Sequence, residues 1–166
     1  MGKIAFVFAG QGAQYPGMGR ELYEASRAAR AVFDGADHIR PRTSEQCFSA
    51  SKEALNQTVN AQPCLFCVDL AAAAALAEQG IRPELVAGFS LGEIPALAFS
   101  GALGRKQAFS LVCERARLMQ ECADQTGGGM AAVLGLDDDV VDALCKQYRQ
   151  VYPVNYNAPG QLVIAG

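Results

Sequence analysis

LVAGFSLGEIPA, residues 85–96, reads as an apolar strand that turns sharply at Ser90 and continues into a helix. Within it, Gly88-Phe89-Ser90-Leu91-Gly92 fits GxSxG, where glycines permit a strained turn and close packing and leave the serine hydroxyl projecting. The bland alternative is a serine that only caps a helix, with glycines that only ease a tight turn. Pro95 suits either reading, because it falls in the first turn or so after Ser90, where few backbone donors have partners anyway. As a nucleophile, Ser90 would find its first oxyanion donor in the backbone N–H of Leu91, at a helix N-terminus.

The pattern on either side of this turn predicts an α/β fold. Residues 3–9, KIAFVFA, form a short apolar strand whose lack of alternation predicts burial on both faces, as in a parallel sheet. A glycine-rich loop follows at 10–19, then helical spacing of Leu22, Ala25, Ala29, Val32 and Phe33 over 20–37. Residues 41–60 read as an irregular connection with a short helix at 51–56. A helix over 61–78 is closed by Gly80 and Pro83. After the strand at 84–89 come helices over about 91–99 and 105–123. Strands alternating with helices predict a parallel sheet with helices on its faces. DQTGGGMAAVLGL, residues 124–136, then changes the texture. Gly127 to Gly129 make a joint, followed by strand 130–136, helix 138–149, strand 151–156 and strand 161–165. That order is a split βαββαβ unit without its last helix and strand.

Composition narrows the function classes. The chain has 166 residues, 51% of them apolar and 19% charged, which suits one medium domain or one domain with the start of another. A formal net charge of -3 offers no bulk attraction to nucleic acid or to an anionic membrane. The apolar run after Lys3 is too brief for a signal peptide, and Phe6 stands where a myristoylation motif wants Ser or Thr. The expected location is the cytosol. Six cysteines without a secretory signal are expected to be free, buried thiols. Cys64 and Cys67 form a lone CxxC inside a helical pattern, far from the single histidine, His38, so they read as one helix face rather than a metal or redox pair.

Three further features bear on the chemistry of Ser90. The loop GQGAQ at 10–14 follows a strand and is a candidate source of a second oxyanion donor, with Gln11 foremost. Its other readings are a phosphate cradle or a plain turn, but Tyr15 breaks GxGxxG and no Lys-Ser/Thr follows. Arg115 and Arg117 lie on the helix after the elbow. A solvated surface charge is the default for either, whereas an arginine facing the nucleophile would clamp a carboxylate with two parallel hydrogen bonds. Finally, a serine hydroxyl needs a neighbouring base. His38 precedes Ser90, opposite to the chain order of hydrolase-type elbows, and sits at a polar helix end.

Together, FAGQGAQYPGMG (8–19), AGFSLGE (87–93), RARLMQ (115–120), GGGMAAVLGL (127–136) and NYNAPGQLVIAG (155–166) carry a resemblance. In this order the chain resembles the N-terminal half of the malonyl-CoA:acyl carrier protein transacylases, the acyltransferase family of fatty acid and polyketide synthesis. The resemblance implies an incomplete hydrolase-like α/β core over 1–126 and the start of an inserted ferredoxin-like subdomain over 127–166. It implies that Ser90 takes a malonyl group from malonyl-CoA and passes it to the phosphopantetheine thiol of acyl carrier protein, with no cofactor, metal, nucleic acid or membrane involved. Backbone N–H groups of Gln11 and Leu91 would form the oxyanion hole, Arg115 would hold the malonyl carboxylate, and Asn157 would line the acyl pocket. Phe89 stands where the family often has His, and EIPAL (93–97) replaces the more usual Glu-Tyr, which bears on acyl preference.

The family's catalytic histidine has no counterpart here, so the sequence reads as truncated, with the base expected beyond Gly166. Loss of the base from a serine nucleophile costs on the order of a million-fold in a well-studied protease. The 166 residues alone are therefore expected to be feebly active at best. The alternatives are a serine esterase with the same elbow but no need of Arg115, and a non-catalytic module that docks carrier protein through Arg105, Lys106, Arg115 and Arg117.

Overall fold

The structure, a computed structural model, describes residues 2–166. These form two compact units, one ending at Gln120 and the other running from Glu121 to Gly166. The division falls inside one long helix, Arg105–Thr126.

The larger unit is built on two parallel strands, β1 (Ala5–Phe8) and β2 (Leu85–Gly88), with Ala5 opposite Leu85 and Phe8 opposite Gly88. Between them run α1 (Arg20–Ala25), α2 (Arg27–Asp37), α3 (Thr43–Ser49), α4 (Lys52–Asn56) and α5 (Thr58–Glu78). After β2, a 3-10 turn at Ser90–Gly92 leads into α6 (Glu93–Ser100) and then α7 (Arg105–Thr126). An α/β fold with a parallel sheet is what the alternation of elements predicts.

Two apolar strands do not make a sheet buried on both faces. Phe6 and Phe8 turn inward, their rings 5.5 and 5.9 Å from that of Phe99 on α6, whereas Val7 is 77% and Leu85 62% exposed. Apolar residues on both sides of a strand record which surroundings it tolerates; among the described residues, α6 and the Ala73 side of α5 cover one face only. The predicted helix over 20–37 is likewise two helices, broken where Ser26 takes an extended conformation. Its hydroxyl caps α2 by accepting from the Ala29 N–H and donates to Glu78 at 2.6 Å. Side-chain caps of this kind compete with helix continuation, which apolar periodicity cannot register. The connection over 41–60 holds α3 as well as the expected α4, and α5 begins at Thr58, ahead of the predicted start.

Helix α5 is the spine of this unit. Leu65, Phe66 and Leu70 are buried with Phe33 of α2, Leu55 of α4, and Phe109 and Val112 of α7. Phe66 and Phe109 meet ring to ring at 5.5 Å. By length and composition α5 could cross a bilayer, but these neighbours enclose it as a core helix. Cys64 and Cys67 are buried free thiols on it, while Cys122 on α7 is exposed.

The smaller unit follows the predicted strand, helix, strand, strand order: β3 (Met130–Leu134), α8 (Asp138–Cys145), β4 (Tyr152–Ala158) and β5 (Gln161–Ala165). The strands form an antiparallel sheet ordered β3-β5-β4. Val141 and Cys145 of α8 close over Leu162 of the central strand. The helix is shorter than the predicted 138–149, ending at Cys145 before a turn in which Gln150 has φ of 64°.

Candidate active site

Ser90 stands where β2 ends. Phe89 is still extended, with its N–H bonded to the Phe8 carbonyl at 3.1 Å. The next residue swings to φ 53°, a left-handed conformation that costs a side-chain-bearing residue about 1–3 kcal/mol and persists only when its surroundings enforce it. Enforcement comes from backbone packing. A Cβ on Gly88 would fall 2.2 Å from the Gly92 carbonyl carbon, and one on Gly92 would fall 2.1 Å from the Phe8 carbonyl oxygen. Only glycine fits either place, so the two glycines of the motif are steric necessities. Leu91 is fully buried and anchors the turn from inside. Ser90 itself stays exposed, and Pro95 lies in the first turn of α6.

Arg115 reaches this serine. Its Nη2 donates to Ser90 Oγ at 3.3 Å, and its Nη1 donates to Gln62 Oε1 at 2.5 Å. Both partners are uncharged, so no acidic side chain neutralises the guanidinium through a described hydrogen bond or ion pair. Arg117, two residues on, points elsewhere and makes a two-pronged pair with Glu114 at 2.6 and 2.9 Å. A step of two residues, about 200° around the helix, thus separates the arginine that faces the serine from the one that pairs with Glu114.

Gln62 was not legible as a site residue. It is completely buried near the start of α5, and its amide nitrogen lies 3.3 Å from Met119 Sδ. The available signal was a glutamine set in the apolar run AQPCLF, since a buried amide demands partners.

The first loop lies alongside the elbow. A Cβ on Gly10 would meet the Phe89 ring at 2.7 Å and the Phe89 carbonyl at 2.8 Å. The Gln11 side-chain Nε2 donates to Thr58 Oγ1 at 2.9 Å. Gly12, at φ 118°, donates its N–H to Gln14, and Gln14 donates to Asn56 at 3.2 Å. Ser90, Leu91, Gln11 and Arg115 all belong to the larger unit. Asn157 belongs to the smaller one, exposed near the end of β4. His38 caps the end of α2 with Nδ1 2.6 Å from the Asp34 carbonyl, and no described hydrogen bond joins it to Ser90. Among the described residues no cluster of three His, Cys, Asp or Glu is arranged to hold a metal ion.

A strained serine at a strand-to-helix turn, with an arginine on its hydroxyl, suits acyl transfer from an anionic donor. A family profile described as "Acyl transferase domain" matches residues 5–166. The chain belongs to that family. Acyl transferase relatives include the malonyl CoA-acyl carrier protein transacylase of Bacillus subtilis (strain 168), 43% identical over 100% of this chain and 54% of that protein. The protein of the same name from Staphylococcus aureus (strain MRSA252) is 36% identical over 100% of this chain and 55% of its own. Among solved structures, the malonyl CoA-acyl carrier protein transacylase of Clostridium perfringens superposes with a TM-score of 0.90 at 37% identity, covering 99% of this chain and 54% of that one. A complex described as PlMCAT:AntF (holo), a type II PKS acyl-carrier protein with its malonyl-transacylase, gives 0.91 at 38%, covering 99% and 55%. The chain spans about half the length of the curated relatives it matches.

Proposed function

We propose that this chain carries the nucleophile of a malonyl-CoA:acyl carrier protein transacylase. Ser90 Oγ attacks the thioester carbonyl of malonyl-CoA, and the oxygen that gains charge is held by the N–H groups of Leu91 and Gln11. Collapse expels the CoA thiolate and leaves malonyl-Ser90. The phosphopantetheine thiol of acyl carrier protein attacks that ester in turn, and Ser90 recovers its proton as it leaves. Arg115 holds the distal carboxylate by paired, charge-assisted hydrogen bonds throughout. Asn157 lines the acyl pocket. The reaction needs no cofactor, and we place it in the cytoplasm.

The reading divides the chain into a hydrolase-like core over 1–126 and the first part of a ferredoxin-like subdomain over 127–166, which the antiparallel order β3-β5-β4 supports. It assigns the base for Ser90 to a histidine outside these 166 residues, since the one present is committed to the end of α2.

The single observation that carries the proposal is the contact between Arg115 and Ser90, made by a guanidinium whose only described partners are neutral. A plain esterase has no use for it. Incubating the 166-residue chain for hours with malonyl-CoA or acetyl-CoA and measuring intact mass tests the assignment. Slow malonylation confined to the peptide with Ser90, in excess over acetylation, is expected; Ser90→Ala abolishes it and Arg115→Ala removes the excess. Equal use of both thioesters, or malonylation that persists without Ser90, would overturn it.

A further inference from the structure

Gln11 sits between two glycines that differ in kind. Gly10 is fixed by crowding, since a Cβ there would meet the Phe89 ring at 2.7 Å. Gly12 is not crowded: a Cβ built on it meets nothing within 4 Å, and its φ of 118° is a conformation that side chains rarely adopt. Glycine has the most backbone freedom to lose on folding. Beyond Gly10, the path of the loop therefore depends on what holds it from outside.

Three hydrogen bonds hold it, and they lead to one corner. Gln11 Nε2 donates to Thr58 Oγ1 at 2.9 Å. The Gln14 side-chain amide is used at both ends: its oxygen accepts the Gly12 N–H at 2.8 Å and its nitrogen donates to Asn56 Oδ1 at 3.2 Å. Asn56 ends α4 and Thr58 opens α5, with Gln57 extended between them. This corner is braced on both sides. Leu55, fully buried, anchors it from α4, and Asn60 Nδ2 donates across it to the Ala54 carbonyl at 2.9 Å. The Val59 N–H, in the first turn of α5 where backbone donors lack helical partners, donates to Gln120 Oε1 of α7 at 3.4 Å.

We infer that Asn56 and Thr58 are positioning residues for the first loop: the corner between α4 and α5 tethers Gln11 and Gly12 and so sets the Gln11 backbone beside the elbow. The functional value of this placement rests on the proposed use of the Gln11 N–H as an oxyanion donor. An oxyanion forms from any thioester that Ser90 attacks, whereas only malonyl-CoA brings a carboxylate to Arg115. Loosening the corner should therefore slow acylation by malonyl-CoA and acetyl-CoA alike.

Amide NMR of the 166-residue chain, with acylation of Ser90 measured on the same samples, tests this. Thr58→Val, which keeps the shape and removes the acceptor, should move the Gln11 side-chain amide protons and the Gln11 and Gly12 backbone resonances. Thr58→Ser, which keeps the hydroxyl, should leave them in place. Asn56→Leu should speed exchange of the Gly12 amide about fivefold. In single-turnover acylation, Thr58→Val should lower the maximal rate with both thioesters by one common factor, about fivefold. The half-saturating thioester concentration should not rise, and Thr58→Ser should restore the rate. Unmoved Gln11 and Gly12 resonances in Thr58→Val, unchanged Gly12 exchange in Asn56→Leu, or a serine variant as slow as the valine one would overturn the assignment. A wild-type chain that is not acylated at all counts against the transacylase reading alone, since the amides report on the corner whether or not a thioester reacts.

Discussion

Gln62 Oε1 lies 2.5 Å from Arg115 Nη1, and through that bond a fully buried amide on α5 fixes the direction of a guanidinium on α7. The other end of the guanidinium is thereby aimed at Ser90. Hydrogen bonds to charged groups contribute about 1.5–3 kcal/mol. Replacing Gln62 by Leu should therefore lower malonylation of Ser90 by about 10- to 100-fold. Acetylation, which has no carboxylate to place, should be unaffected. A parallel fall in both would mean that Gln62 supports the fold rather than the arginine.

Gly92 and Gly88 admit no side chain: a methyl group on Gly92 would overlap the backbone at the end of β1, and one on Gly88 would overlap the backbone of Gly92 and Glu93. Gly92→Ala should destabilise the chain by several kcal/mol, about 3 or more, in the range of severe backbone and overpacking defects. Urea denaturation followed by circular dichroism measures this. A loss under 1 kcal/mol, approximately what surface substitutions produce, would show that the packing of β1 on the turn is looser than described.

Ser90 at φ 53° carries strain that Ala retains and Gly does not. Ser90→Gly should be more stable than Ser90→Ala by about 1 kcal/mol, the left-handed penalty less the greater chain entropy of glycine. Both lack the hydroxyl and neither is acylated. Thermal melts of the pair that rank Ala above Gly would contradict the backbone conformation at the turn.

Asp69 gives stability a slope with pH. Its folded-state value, about 7, exceeds the ordinary 3.8, so the native chain binds the proton more tightly than the unfolded one. The contribution of the protonated acid is complete below about pH 4 and declines as pH rises toward 7. Asp69→Asn removes the titrating group, so the variant should lose less stability than wild type between pH 5 and 8. Equal losses in the two proteins, measured by denaturant titration, would show that Asp69 is ionised with little penalty.

Much of this architecture was legible in residues 85–96 and in the alternation around them, because GxSxG couples a steric demand to a chemical one within five residues. From the helix pattern Arg115 was one of two candidates, since choosing between it and Arg117 requires knowing which face of α7 meets α5, and it was the family resemblance that singled it out. Gln62 and Thr58 were hidden for a related reason: each acts across sequence separations that periodicity does not encode, and in an apolar helix they read as minor blemishes. The split at Ser26 and the open face at Val7 and Leu85 were missed because apolar spacing reports tolerance of burial, not the presence of a neighbour.

Helix α5 also makes the site sensitive to register. Thr58 and Gln62 engage Gln11 of the first loop and Arg115 from one rod, so their spacing works like the cut of a key. One extra alanine between Thr58 and Gln62 would change little in composition or helix propensity, yet would rotate one against the other by about 100°. The insertion would carry Gln62 away from the guanidinium while Thr58 kept its hold on Gln11, separating two halves of one apparatus without touching Ser90.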